Sequence, residues 1–520
     1  MTYDILIKSG SILDGTGSSI TFGDIGIVGD RIEAIENNGK TSARITINAY
    51  GKYVTPGFID ITNHSDTHLT LFTYPNLESL IMQGVTTIIG GNCGASLAPL
   101  ATPTAINAIS KWVDPTQANI NWSRMGEFLD SVDAFHPAVN FGTFVGYGTL
   151  RRGVIGDEIR TLTPEEREKI KLLLHDAMKE GAMGLSLGLA YGHERISSTE
   201  EIIAIAQVLQ KTGGIIAIHL RSEGAELLAS VNEAVLISRE LRVPIHISHL
   251  KAIGKKSWPS LKKSLDLIEN AKASGVDITF DVSPYNTTGS LLYLLIPGWA
   301  RQGGFKELFR KIDDPTEHAR IIDALKKITL HYDRILITSA KTKTIVGHTL
   351  TEIAEEGGLT PEEALLSTIR ANEGRVTMLG RTISKKNTEL EIEYTDSMIT
   401  SDGAGFSQDA AHTGNIVHPR SFGAFPHFWH QFATEHPEQA ITKLTALPAR
   451  RLGLARRGIL QKGNYADIVI FDQKLFRDRA THRNPFRYPA GMEWVLINGK
   501  PVVENGQAIG IRAGKALRKT

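Results

Sequence analysis

A chain of 520 residues exceeds most single domains and fits one large α/β unit with smaller attachments. With 57 Lys and Arg against 56 Asp and Glu, the formal charge of +1 gives no electrostatic reason to bind nucleic acid or an anionic membrane, so the expected partner is a small molecule. Met1-Thr2-Tyr3-Asp4 opens no signal-peptide pattern and no run approaches 18 apolar residues, which predicts a soluble, cytoplasmic protein; its oligomeric state is left open.

From Asp4 to about Lys52 the chain reads as short β-rich pieces: Ile5-Leu6-Ile7, Ile25-Gly26-Ile27-Val28 and Arg44-Ile45-Thr46-Ile47. The stretch from about Gly458 has the same character, with Asp467 to Phe471, Trp494 to Ile497 and the turn pair Asn498-Gly499. The two ends, residues 1–54 and 445–520, are predicted to pair into a small β-sandwich domain. Between them, residues 55–444 alternate short apolar strands with helical segments such as Thr163 to Glu180 and Ser198 to Thr212, the pattern of a parallel sheet wound by helices. The strands are Phe58–His64, Thr86–Asn92, Val139–Gly146, Gly184–Leu189, Ile215–Leu220, Pro244–His249, Ile278–Ser283 and Met398–Asp402, and this count of eight predicts a (β/α)8 barrel. About 289–345 is too long for a βα loop and holds its own strand, Arg334–Thr338, so it reads as an inserted subdomain.

Barrel active sites form at the C-terminal ends of the strands, and the polar residues collect there. Strand one ends in Asp60 to Asp66 with His64, strand two runs into Gly90-Gly91-Asn92-Cys93-Gly94, and strands five, six and eight end at His219, His249 and Asp402. Thiolate and imidazole are preferred zinc ligands, and an open coordination position lowers the pKa of a water there to about 7. Each residue has a plainer reading. Cys93, the single cysteine, forms no internal disulfide and could be a small buried apolar residue. A lone strand-end His is more often a satisfied polar group, and Asp402 could cap the Ser-Asp-Gly turn. Their coincidence on several strand ends favours a metal site. The Gly90-Gly91 pair lacks the GxxxxGK[ST] pattern of a phosphate cradle.

These residues resemble the N-acyl-D-amino-acid deacylases (D-aminoacylases) of the amidohydrolase superfamily over almost the whole chain. The resemblance rests on Val54 to Asp60, Gly90 to Gly94, His219-Leu220-Arg221-Ser222-Glu223, Ile247 to Lys251, Ser401-Asp402-Gly403 and His418-Pro419-Arg420, and continues in Arg457-Gly458, Asp467-Ile468-Val469 and Asn498-Gly499. It implies hydrolysis of an N-acyl-D-amino acid by Zn²⁺ bound at Cys93, His219 and His249. By the same resemblance Asp402 moves the proton, taking it from the attacking water and returning it to the leaving amine. Lys251, Tyr285 and Arg420 would hold the substrate carboxylate, and Arg suits this because its planar fork meets a carboxylate with two hydrogen bonds.

The chain departs from the family in three places. Thr62-Asn63-His64 stands where the family has His-x-His, so one ligand is missing; a single tight ion is expected, with His64 orienting water or substrate and with His64 and Asp402 left for a weak second site. Gly146-Tyr147-Gly148 replaces a frequent Gly-His, and Tyr191-Gly192-His193-Glu194-Arg195 replaces a Pro-Gly loop. Two other functions compete. Ring opening of cyclic amides, as in dihydroorotase and hydantoinase relatives, is disfavoured by the absence of a lysine in Gly184 to Gly188, and a non-catalytic barrel by the retention of Asp402 with the ligand set.

Overall fold

The computed structural model describes every residue except 1, 37–41, 118, 329, 434 and 520. The fold is α/β. Eight parallel strands occupy the expected places: Phe58–Asp60, Val85–Gly90, Asn140–Thr143 continued by Val145–Gly146, Gly184–Gly188, Ile215–His219, Ile245–Ile247, Ile278–Val282 and Met398–Ile399. Strands one, two and the first piece of three pair in that order, and the second piece of three continues through four to eight. Beyond strand eight, the Asp402 amide donates to Thr62 O at 3.1 Å, so the chain after the last strand bonds to the chain after the first. Every residue of strands four and five is buried, as expected of parallel strands covered on both faces.

Several strands stop short of their predicted ends. Cys93, His249 and Asp402 take φ of 54°, 40° and 50°, left-handed values that a strand cannot continue through. The residues that the pattern counts as strand ends are thereby turned into the mouth.

The covering helices follow from local chemistry. Pro164–Lys179 starts at a capping box of Thr163 and Glu166, with Pro164 in the first turn, worth about 1 kcal/mol. Its Ile170, Leu174, Ala177 and Met178 recur at helical spacing and are buried, leaving charged residues outside.

The two chain ends share one nine-stranded sheet. Tyr53–Pro56 pairs parallel with Tyr3–Ile12 and antiparallel with Ile468–Phe471, joining the segments across the whole sequence. Asn498 and Gly499, at φ of 48° and 75°, form the tight turn between Met492–Ile497 and Lys500–Glu504 that the Asn-Gly pair predicts.

After strand seven, Thr288–Leu291, Thr377–Gly380 and Ile335–Ser339 form an antiparallel sheet in that order, packed with helices such as Pro315–Lys327 and Pro361–Ala371. The segment expected at 289–345 therefore extends to Gly380, because its middle strand comes last in sequence. Among the described residues no helix is long and apolar enough to cross a membrane.

Candidate active site

The turn after strand two is shaped by glycine. A Cβ at Gly91 (φ 69°) would lie 2.1 Å from Phe144 O, and one at Gly94 (φ 74°) 2.0 Å from a Glu194 carboxylate oxygen. The Gly94 amide donates to Ser186 Oγ at 2.8 Å, fixing the turn to strand four and delivering Cys93 to the mouth. There its Sγ lies 3.5 Å from Nδ1 of His219, the last residue of strand five, and 3.3 Å from Nε2 of His249, two residues beyond strand six. All three residues are buried, and their donor atoms lie within 4.8 Å of one another. Zinc bond lengths in a tetrahedron separate sulfur from nitrogen by about 3.5 Å, so this donor set fits a zinc ion.

A carboxylate stands behind both imidazoles. Glu223 Oε1 is 3.1 Å from His249 Nδ1 and 4.0 Å from His219 Nε2, and accepts from Lys251 Nζ at 2.6 Å. Burial alone would raise the Glu223 carboxyl, but Lys251, His219 and His249 outweigh it and hold it well below the usual carboxylate range. Burial likewise opposes ionisation of Cys93, yet His249 and His219 pull the thiol far below its ordinary value. The two imidazoles thus favour the thiolate form of Cys93, the form that binds zinc.

Asp402 meets the cluster from strand eight. Its Oδ1 lies 3.2 Å from His64 Nε2, and its Oδ2 accepts from Arg420 at 2.6 Å. Burial pushes this carboxyl up, but Arg420, His249 and His64 more than reverse that, keeping it ionised. His64 is pulled down by burial and raised more strongly by Asp402 and Cys93, to about 9.

The structure brings Cys93, His219, His249, His64, Asp402, Lys251 and Arg420 onto one cavity of about 570 Å³. Lys251 is engaged with Glu223 and the His249 carbonyl, and Arg420 with Asp402. Tyr285 stands farther back: its hydroxyl donates to Asp478 at 3.2 Å and its ring stacks on His427 at 4.3 Å. It shares a smaller recess of about 10 Å³ with Lys251, Asp402 and Arg420. Thr62 is fully buried, and its hydroxyl donates to Asp281 at 2.5 Å.

Asp281 is the residue that sequence reasoning passed over. It also receives the His249 amide at 2.6 Å and faces His246 Nε2 at 2.8 Å, so it ties strands one, six and seven together beneath His249. The signal was present: a carboxylate inside the apolar strand Ile278–Val282 has to be paired. Glu223 was visible in the motif after His219, but its contact with both imidazoles depends on how strands five and six lie side by side.

The remaining wall is aromatic. The Tyr191 ring lies 5.1 Å from that of His219 and 5.8 Å from Trp112, which is 5.9 Å from His64. The Lys111 ammonium sits over both rings, 3.5 Å from the centroid of Tyr191 and 4.1 Å from that of Trp112.

Known proteins resemble the chain over its whole length. The chain is 32% identical to a D-aminoacylase of Alcaligenes xylosoxydans xylosoxydans over 100% of its own length and 98% of the relative's. A crystal structure of N-acyl-D-glutamate deacylase from Bordetella bronchiseptica, complexed with zinc and a phosphonate mimic of the tetrahedral intermediate, superposes with a TM-score of 0.85 at 28% identity over 100% of both chains. A D-aminoacylase structure concerned with a binuclear metal centre, one-metal activation and second-metal attenuation gives 0.83 at 32%, covering 99% of this chain and 100% of that one. Residues 46–337 and 431–503 match the amidohydrolase family, and on that match and the full-length identity to D-aminoacylase, the chain belongs to the amidohydrolase family.

Proposed function

We propose that this protein is a zinc-dependent hydrolase that cleaves the amide bond of N-acyl-D-amino acids, releasing a carboxylate and a free D-amino acid. The observation that carries the reading is the Cys93, His219 and His249 cluster, with separations suited to zinc, faced by the ionised Asp402. We read the parallel strands as a closed (β/α)8 barrel, supported by the bond from Asp402 to Thr62. On this reading residues 55–444 are the barrel with its insertion, and the nine-stranded sheet of the two chain ends is a separate small β-domain.

Zinc bound at these ligands would supply a Lewis acid that polarises the scissile carbonyl and makes water a ready proton donor near neutral pH. Asp402 is the base: one oxygen receives a proton from the attacking water, and the same carboxyl hands it to the leaving nitrogen. Arg420 keeps that carboxylate charged and aims it, while its buried Nε, free of partners among the described residues, is available to a substrate carboxylate. Lys251 and Tyr285 line the adjoining recess; Lys251 meets the substrate carboxylate there, and Tyr285 joins it by turning its hydroxyl from Asp478. Glu223 places a negative charge behind the outer nitrogens of the two imidazoles, 3.1 Å from that of His249 and 4.0 Å from that of His219, and so helps to orient them. His64 positions water or substrate beside Asp402 and, with it, offers a second ion only a weak site, since the Thr62 hydroxyl is already committed to Asp281. Ser186, which holds the Cys93 turn, occupies strand four without a lysine, which disfavours the cyclic-amide chemistry.

A screen of N-acyl-D- and N-acyl-L-amino acids for amine release, with metal content measured on the same preparation, tests the reading. Release confined to D-substrates by zinc-containing protein is expected. Turnover of hydantoins or dihydroorotate with no linear amide cleaved would overturn it.

A further inference from the structure

The aromatic wall has no part in the proposed chemistry, yet it carries a lysine, Lys111, whose ammonium is pulled down to about 7 by burial against the opposing attraction of Glu194. Lys111 Nζ rests over Tyr191 and Trp112; among the described residues no direct ion pair or hydrogen bond holds it, and the buried Glu194 carboxylate attracts it from a distance. The other basic groups nearest the ligands are engaged, Lys251 with Glu223 and Arg420 with Asp402. Tyr191 opens the Tyr191-Gly192-His193-Glu194-Arg195 segment, one of the departures from the family pattern. Glu194 of that segment is buried beneath the Cys93 turn and accepts from the Gly188 amide at 2.6 Å, so the Tyr191 segment is anchored to strand four, which also holds the Cys93 turn. Around the whole cavity six Lys and Arg face three Asp and Glu, a balance that draws anions in.

Resting on the deacylase reading, we infer that Lys111, braced on Tyr191 and Trp112, is a specificity-determining residue that binds a second carboxylate on the substrate, so that the preferred N-acyl-D-amino acid is dianionic. The amine is fixed in direction against the ring faces; burial disfavours its charge, and an entering carboxylate restores it, forming a charge-assisted hydrogen bond. Tyr191 and His219 are close enough that a chain of a few methylenes can reach from the scissile amide to Lys111. The second carboxylate can sit on the amino-acid side chain or at the end of the acyl chain; the chemistry at Lys111 is the same.

Three substrates separate these cases: N-acetyl-D-leucine, N-acetyl-D-glutamate and N-succinyl-D-leucine, each measured with wild-type, Lys111→Met and Lys111→Arg protein alongside zinc content. Met keeps the apolar stem against the rings and removes the charge. The expected result is a fall of about tenfold or more in the ratio of kcat/KM for one dianion to that for N-acetyl-D-leucine in Lys111→Met, carried by KM and largely restored in Lys111→Arg. A response with N-acetyl-D-glutamate assigns the carboxylate to the side chain, and one with N-succinyl-D-leucine assigns it to the acyl group. Equal losses on all three substrates, or unchanged ratios for both dianions, would overturn the inference while leaving the deacylase reading standing. No turnover of any of the three by zinc-loaded wild-type protein would overturn both.

Discussion

Two networks of buried charge occupy different ends of the same strands, and they are built to different rules. At the start of strand three, Asn140 accepts from Asn498 Nδ2 at 2.8 Å; Arg457 donates to Asp467 and, at 2.9 Å, to Asn498 Oδ1, and the Asn498 amide closes on Asp467 at 2.8 Å. None of these side chains has a buried polar atom lacking a partner. At the other ends of the strands, His64 Nδ1, Asp66 Oδ1 and Arg420 Nε are buried without one, and Cys93, His249 and Asp402 sit at positive φ. A satisfied network clamps the end sheet to the parallel strands, whereas an incompletely satisfied one lining a cavity holds binding capacity in reserve.

The contrast can be broken in four places. Asp402→Asn should lower kcat by about 10²–10⁴-fold, because an amide oxygen is no base at neutral pH, with zinc content and thermal stability close to wild type. Near-normal kcat would remove Asp402 from the chemistry. Arg457→Met should leave Asp467 as an unpaired buried charge and destabilise the protein by about 3–5 kcal/mol in urea unfolding, while kcat/KM per folded molecule is maintained. A catalytic defect without loss of stability would erase the distinction between the networks. Glu223→Gln removes the charge behind both imidazoles and should weaken zinc binding about 10–100-fold in chelator competition, with activity recovered at excess zinc. The smallest change is Thr62→Val, which deprives Asp281 of one donor at nearly constant volume. It should cost about 1–3 kcal/mol of stability without altering zinc stoichiometry, and a drop in zinc content would show that Thr62 reaches the metal.

Much of this arrangement was legible in the sequence because it is local. Strand periodicity, the Thr163 capping box and the Asn498-Gly499 turn each declare themselves within a few residues, and the ligand types Cys and His at strand ends point to zinc before any contact is known. What was hidden is pairing across distance. Thr62 looked like a vacant ligand position, yet its hydroxyl serves Asp281, 219 positions along the chain. Arg420 reads as a substrate residue from its motif, and only the fold shows that it also holds Asp402. The inserted segment was cut short at residue 345 because its central strand, Thr377–Gly380, pairs with strands that precede it by dozens of residues.

The most direct test of the account is a zinc titration of metal-free protein, following hydrolysis of its best N-acyl-D-amino acid against zinc bound per chain. Activity should climb to its full value with about one equivalent and gain nothing from a second, and Cys93→Ala, which removes the negatively charged ligand, should abolish both tight binding and the activity it confers. Full turnover without metal, or activity that appears only with the second equivalent, would contradict it.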